Sequence, residues 1–302
     1  MDSLMLAKFD EDRSGLVEDQ TTKTAAAKRR KRHPITGYAI FLAASISAVA
    51  MPEAQAELSN QELAKMTQNP VSEMISLPFQ NNTYLNVGPR KETKNVLDIQ
   101  PIIPLGGNGD WKIITRTVIP VISRPGEVRG LESKAGLGDL QLSVFLSPTH
   151  HQENIWRVGV VTQLPTNTDI RIGNDNWGLG PALVWFHVAK EDPWVYGIVL
   201  NNIWSVTSDK PGGSYNSALI QPIINYNFPG GTYLTTSMSS TVNWKADNSQ
   251  RWTVPLGGGI GHIFHVGHQP VNAQISAYYN VVRPDFAPNW QLRAQVQFLF
   301  PK

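Results

Sequence analysis

The chain has 302 residues, with 26 Lys and Arg against 24 Asp and Glu, nine Trp, 24 Gly and no Cys. Near-balanced charge offers nucleic acid no electrostatic footprint, and the lack of cysteine excludes disulfides, thiolate metal sites and thiol catalysis. The length suits one large all-β domain or two smaller ones.

The first 56 residues differ from the rest. A basic cluster, "KRRKRH" at 28–33, precedes an uncharged apolar run, "GYAIFLAASISAVAM" at 37–51, and a small-x-small pattern, "AQA" at 54–56. That order predicts a secretory signal peptide with an extended n-region, cleaved between Ala56 and Glu57. The apolar run is shorter than the roughly 20 residues a spanning helix needs. The remainder carries 18 Lys and Arg against 17 Asp and Glu. No long apolar run follows, so any membrane span after residue 56 is built from strands.

Residues 57–74 are polar, with a short helical pattern around Gln61–Met66 that Pro70 stops. This predicts a short periplasmic segment that folds against or into the mouth of the following domain. Residues 75–302 then read as strands at 75–86, 94–104, 110–122, 136–147, 154–164, 176–188, 193–206, 215–228, 231–245, 250–263, 271–282 and 289–300. Segments of roughly 10–15 residues match a tilted strand crossing a bilayer. Several alternate cleanly: Trp156, Val158 and Val160 oppose Arg157 and Gly159, and Ala273, Ile275 and Ala277 oppose Gln274 and Ser276. Segments 176–188 and 193–206 are apolar on both faces, which leaves their register open. Gly257, Gly258 and Gly259 predict a bulge or bend.

Connections alternate long and short at 87–93, 105–109, 123–135, 148–153, 165–175, 189–192, 207–214 and 229–230, and the trend breaks at 246–249, 264–270 and 283–288. Outer-membrane barrels show such alternation, with both termini on the periplasmic side. Aromatics gather near segment ends, where headgroup-level Trp and Tyr sit. The last strand, "LRAQVQFLFPK", puts Phe298 and Phe300 on its apolar face.

The stretches "QNPVSEMISLPFQNNTYLNVGP" (68–89), "VLDIQPIIPL" (96–105), "WKIITRTVIPVI" (111–122), "GLGDLQLSVFLSP" (136–148), "WGLGPALV" (177–184) and "FLFPK" (298–302) resemble proteobacterial outer-membrane proteins of the MetA-pathway-of-phenol-degradation family, often labelled "neuromedin U". The resemblance covers 57–302. It implies a transporter-like barrel in the Gram-negative outer membrane, passing small, hydrophobic or aromatic solutes. It supplies no site residues. A C-terminal aromatic strand resembles the signal that the barrel-assembly machinery reads, although "PK" follows Phe300 here.

Metal and catalytic readings are weak. His150 and His151, and His262, His265 and His268, fall in turns and strand ends. His187 with a serine of "WSVTS" (204–208) lacks a nucleophile-elbow motif. The glycines of "GGNG" (106–109) and the two "PGG" stretches lie between strands and predict tight turns, not phosphate cradles. Charges on inner faces carry more: Asp98, Lys112, Arg116, Asp139, Arg157 and Arg293 should point to the lumen, because a lipid-facing charge at mid-bilayer costs several kcal/mol. Alternating sign suggests an Arg116–Asp139–Arg157 ladder across neighbouring strands.

The expectation is an all-β, closed antiparallel transmembrane barrel of about 12 strands, acting as a passive channel. The alternatives are a closed structural or adhesive barrel acting through its outer loops and, third, an outer-membrane acyl hydrolase. No enzyme activity, cofactor, metal or nucleic acid is expected. Expected partners are outer-membrane lipid and lipopolysaccharide, the barrel-assembly machinery and a small-molecule solute.

Overall fold

The computed structural model describes residues 58–149 and 153–301. The signal-peptide reading of 1–56 and the His150–His151 pair lie outside the described residues.

Helix α1 (Asn60–Thr67) starts at a capping box: the Ser59 side chain accepts from the Glu62 amide, and the Glu62 carboxylate accepts from the Ser59 amide. That backbone N–H holds the Glu62 carboxyl below its usual range. Fifteen strands follow: β1 (Ile75–Val87), β2 (Glu92–Ile99), β3 (Ile102–Asn108), β4 (Trp111–Arg124), β5 (Lys134–Leu137), β6 (Leu140–Pro148), β7 (Asn154–Leu164), β8 (Gly178–Val188), β9 (Trp194–Ser205), β10 (Asn216–Asn227), β11 (Thr232–Ser237), β12 (Ser240–Asn243), β13 (Trp252–Val266), β14 (Gln269–Val282) and β15 (Trp290–Phe300). Every pairing is antiparallel, and β1 pairs with both β2 and β15, so the sheet closes on itself. Closure leaves no edge strand. Three staves are each made of two pieces, β2 with β3, β5 with β6, and β11 with β12, giving a twelve-stave barrel.

The breaks have local causes. Pro101, without an N–H, separates β2 from β3. A bulge between Pro104 and Gly106 then lets β3 continue to Asn108, so "GGNG" is mostly strand and the turn is only 109–110. Gly107 needs to be glycine, since a Cβ there would lie 1.7 Å from the Trp111 carbonyl oxygen.

The connection pattern is more regular than the sequence suggests. At the end bearing both termini the connections are 109–110, 149–153, 189–193, 228–231 and 267–268. At the other end they are 88–91, 125–133, 165–177, 206–215, 244–251 and 283–289. Only 88–91 is short among the second group. The expected break in the trend disappears because β13 and β14 run on to Val266 and Gln269, which pair around Gly267 at φ 62. Three histidines in that stretch make it look like a loop.

Side chains alternate as a bilayer-facing barrel requires. On β15, Trp290, Leu292, Val296 and Phe300 are exposed, while Gln291, Arg293 and Gln297 are buried inside. The nine tryptophans fall in two rings. Trp111, Trp156, Trp185 and Trp194 lie towards the terminal end, and Trp177, Trp204, Trp244, Trp252 and Trp290 towards the other. Edge-to-face pairs tie each ring together, Trp111 with Trp156 at 5.8 Å and Trp244 with Trp252 at 6.2 Å.

The ends of the barrel are distinguishable by labelling. Ser133 lies in the 125–133 connection and Glu191 in the 189–193 connection, both exposed. If the long connections face outside the cell, as in outer-membrane barrels, an impermeant maleimide on intact cells should label Ser133→Cys and leave Glu191→Cys unlabelled. The reverse pattern would invert the barrel.

Candidate functional site in the barrel interior

The interior has two unlike walls. Phe145, Val161, Val184, Phe186, Val199 and Ile223 are buried in one apolar cluster. This settles the register of β8 and β9, whose inward faces are apolar because they complete that cluster. The opposite wall, from β14 through β15 and β1 to β2, carries Asn272, Gln297, Arg293 and Asn82, all buried. Their polar groups are linked: Asn82 Oδ1 accepts from Gln291 Nε2 (2.9 Å) and Arg293 Nε (3.1 Å), and its Nδ2 donates to Asp98 (3.0 Å).

The N-terminal segment occupies the terminal end of the interior. Leu63, Ala64 and Met74 pack with Tyr233, Ile263 and Leu299. Lys65 Nζ donates to the Ala189 and Lys190 carbonyls at 2.9 and 2.6 Å. Gln68 exchanges two hydrogen bonds with Asn227. Glu73 takes Lys112 Nζ at 2.5 Å on one oxygen and lies 4.0 Å from Arg157 Nη2 on the other. Gly231, at φ 93, lets the 228–231 turn pass under the start of α1, where a Cβ would lie 2.8 Å from Asn60 Cβ.

The six expected interior charges divide among three levels. Asp98, Arg116 and Arg293 share the polar wall, Arg116 Nη2 donating to Gln100 Oε1 at 2.6 Å and Arg293 lying over the Tyr278 ring at 5.1 Å. Lys112 and Arg157 meet at Glu73. Asp139 sits towards the far rim, accepting from Gln163 Nε2 (3.2 Å), Asn167 Nδ2 (2.9 Å) and the Asn174 amide. The expected Arg116–Asp139–Arg157 ladder therefore does not form. Arg116 pairs with Ser143, four residues from Asp139, and Val158 pairs with Leu146. At about 3.3 Å per residue, Asp139 is roughly 13 Å along the strand from the level of Arg116 and roughly 26 Å from that of Arg157. Glu73, in no strand and with no motif, was not legible as their partner.

A cavity of about 90 Å³ lies between the polar wall and the N-terminal segment, bordered by Gln68, Gln80, Arg116, Tyr233, Gln274 and Arg293 among others. Tyr233 donates from its hydroxyl to Asn272 Oδ1 at 2.9 Å, and a Cβ on Gly261 would meet its ring at 2.2 Å.

The histidine readings separate. His187 pairs in register with Tyr196, whereas Ser205 pairs with Gly178, so His187 and the "WSVTS" serines occupy opposite ends of the β8–β9 hairpin, roughly 30 Å apart. Among the described residues no group of three or more His, Cys, Asp or Glu is placed to hold a metal ion.

No protein-family model matches the chain, and no curated protein matches it. Among solved structures, an outer membrane channel from Pseudomonas putida F1 is similar at 16% identity and TM-score 0.58, covering 77% of this chain and 98% of its own. The CymD monoaromatic hydrocarbon channel reaches 10% identity and TM-score 0.45 over 81% and 91%. Outer membrane phospholipase A from Escherichia coli reaches 12% and 0.39 over 80% and 98%. The last two are too distant in shape to carry any argument, and the first carries the fold: this chain is a closed, antiparallel, twelve-stave β-barrel.

Proposed function

We propose that the chain is a Gram-negative outer-membrane barrel, exported by the signal peptide at 1–56, that passes small solutes and belongs with the phenol-degradation-associated proteins its sequence resembles. The observation that supports this reading is the divided interior. A purely structural barrel of this size can fill its inside with side chains. Here a polar, hydrogen-bonded wall faces an apolar one, and a cavity borders the polar side. Such an interior accommodates a molecule with one apolar and one polar side, which extends the solute class to small amphiphiles. Lipid and lipopolysaccharide would contact the outward apolar belt, and the barrel-assembly machinery would read the β15 end.

The test is conductance of the purified, refolded protein in planar bilayers. Discrete ion-conducting steps are expected. The N-terminal segment favours a second reading, a plugged barrel acting through its outer connections. A protein that inserts and never conducts, even after residues 58–74 are removed, would leave that reading in place of the channel. Export is tested separately: N-terminal sequencing of the outer-membrane fraction should begin at Glu57, and a mature chain retaining 37–51 would refute it.

A further inference from the structure

We propose that the cavity on the polar wall is a binding site for a small organic monocarboxylate, held by Arg116 and Arg293. The proposal deepens the channel reading, since it names what the interior would hold, but the site can be measured whether or not the barrel conducts.

The charge of the lining comes first. Arg116 and Arg293 border the cavity, and among the described lining residues there is no Asp or Glu. The remaining polar lining is neutral amide and hydroxyl, so the site is built for negative charge. The nearest carboxylate, Asp98, stands behind the lining, accepting from Asn82. Arg116, Arg293 and the buried Lys94 all act on the one Asp98 carboxylate, so this part of the interior is net positive and suits a small anion. Lys112 pairs with Glu73, and Arg157, whose Nε and Nη1 are also unpaired among the described residues, lies 4.0 Å from Glu73; neither borders the cavity.

The second observation is an unused donor. Arg116 Nη2 donates to Gln100, yet Arg116 Nε is buried with no hydrogen-bond partner among the described residues. A buried donor left unpaired is costly, and one in a native fold calls for a specific reason. Arg116 borders the cavity, and a planar guanidinium is the group that pairs with both oxygens of a carboxylate. A spherical halide uses that planar geometry poorly. Arg293 is only 6% exposed and is fixed by Asn82 and the Tyr278 ring, so it is held in place before any ligand arrives.

The third observation is the body of the ligand. Ile102, which pairs in register with Arg116, and Ile223, Pro70 and Pro78 also border the cavity, giving a short alkyl group an apolar surface. A volume of about 90 Å³ restricts that group to a few carbons.

Calorimetric titration of the full-length mature barrel in detergent tests this with propionate, its neutral isostere propionamide, and chloride. Propionate should bind saturably, with propionamide and chloride at least about tenfold weaker. Arg116→Gln and Arg293→Gln should each weaken propionate by about tenfold or more, and Arg116→Lys should fall between, keeping charge but losing the planar edge. Heat-modifiable migration on gels shows which variants retain the barrel. Propionamide or chloride binding as tightly as propionate would overturn the proposal, as would folded Gln variants that bind like the parent. A parent that conducts in bilayers but gives no propionate heat refutes the site and leaves the channel. A parent that binds propionate but never conducts supports the site and refutes the channel.

Discussion

Glu73→Lys should raise the conductance of the barrel several-fold and make its open time salt-dependent. Glu73 is the acid that holds the N-terminal segment to the wall at Lys112 and Arg157. Reversing its sign gathers three cations where one carboxylate had stood between two. Glu73 and Lys112 are each about 30% exposed, so part of the interaction is screened by water. Arg157 is 1% exposed and receives little such screening. A loss of about 2 kcal/mol of segment binding is expected, below the 3–5 kcal/mol of a fully buried broken pair. The Lys65 and Gln68 hydrogen bonds remain, so the segment should exchange between seated and released rather than leave for good. Glu73→Gln should give a smaller increase, since it removes attraction without adding repulsion. Single-channel recording of the three proteins checks the order; equal conductance in all of them would mean that this segment does not obstruct the passage.

Arg157→Glu should largely abolish heat-resistant barrel on gels, while Arg157→Met should leave it within about 1 kcal/mol of the parent. Arg157 is among the most buried large side chains, and its Nε and Nη1 have no hydrogen-bond partner among the described residues. Its charge is thus poorly compensated in the parent, and an apolar side chain of similar length gives up little. Glutamate instead places a second carboxylate beside Glu73, with Lys112 alone to serve both. That costs about 3–5 kcal/mol, a large share of a typical net stability. Thermal unfolding followed by gel shift or circular dichroism separates the two variants. A Glu variant as heat-resistant as the parent would mean that position 157 reaches water.

The barrel was legible in the sequence wherever the two faces of a strand differ. In β4, β7, β14 and β15 the inward and outward sets follow directly from alternation, because lipid on one side and polar groups on the other ask for opposite residues. In β8 and β9 the rule gave no answer, since Val184 and Phe186 point inward to an apolar wall while Leu179 and Leu183 point outward. The six interior charges could be named, but their partners could not. Facing the same side fixes one coordinate of a side chain and says nothing of its height, and the offset between strands separates Asp139 from both arginines. Glu73 and Asn82 became partners of these charges through the return of the N-terminal segment and the closure of β1 on β15, both joining residues distant in sequence, whereas Gln100 meets Arg116 beside the β3–β4 pairing.

The two tryptophan rings also fix a thickness. Trp194 and Trp204 open and nearly close β9, ten residues apart, or roughly 33 Å along a strand at 3.3 Å per residue. Tilted by about 40°, the span along the membrane normal is roughly 25 Å, the height of the apolar band in outer-membrane barrels. A typical bilayer core is about 30 Å thick. In it the barrel would have to thin the surrounding lipid by several ångströms, at a fraction of a kcal/mol for each. A rigid closed sheet cannot stretch to share that cost as a tilting helix can. Short-chain lipids should therefore take up this protein most readily, and bilayer thickness would sort it towards thin membranes without any receptor reading an address.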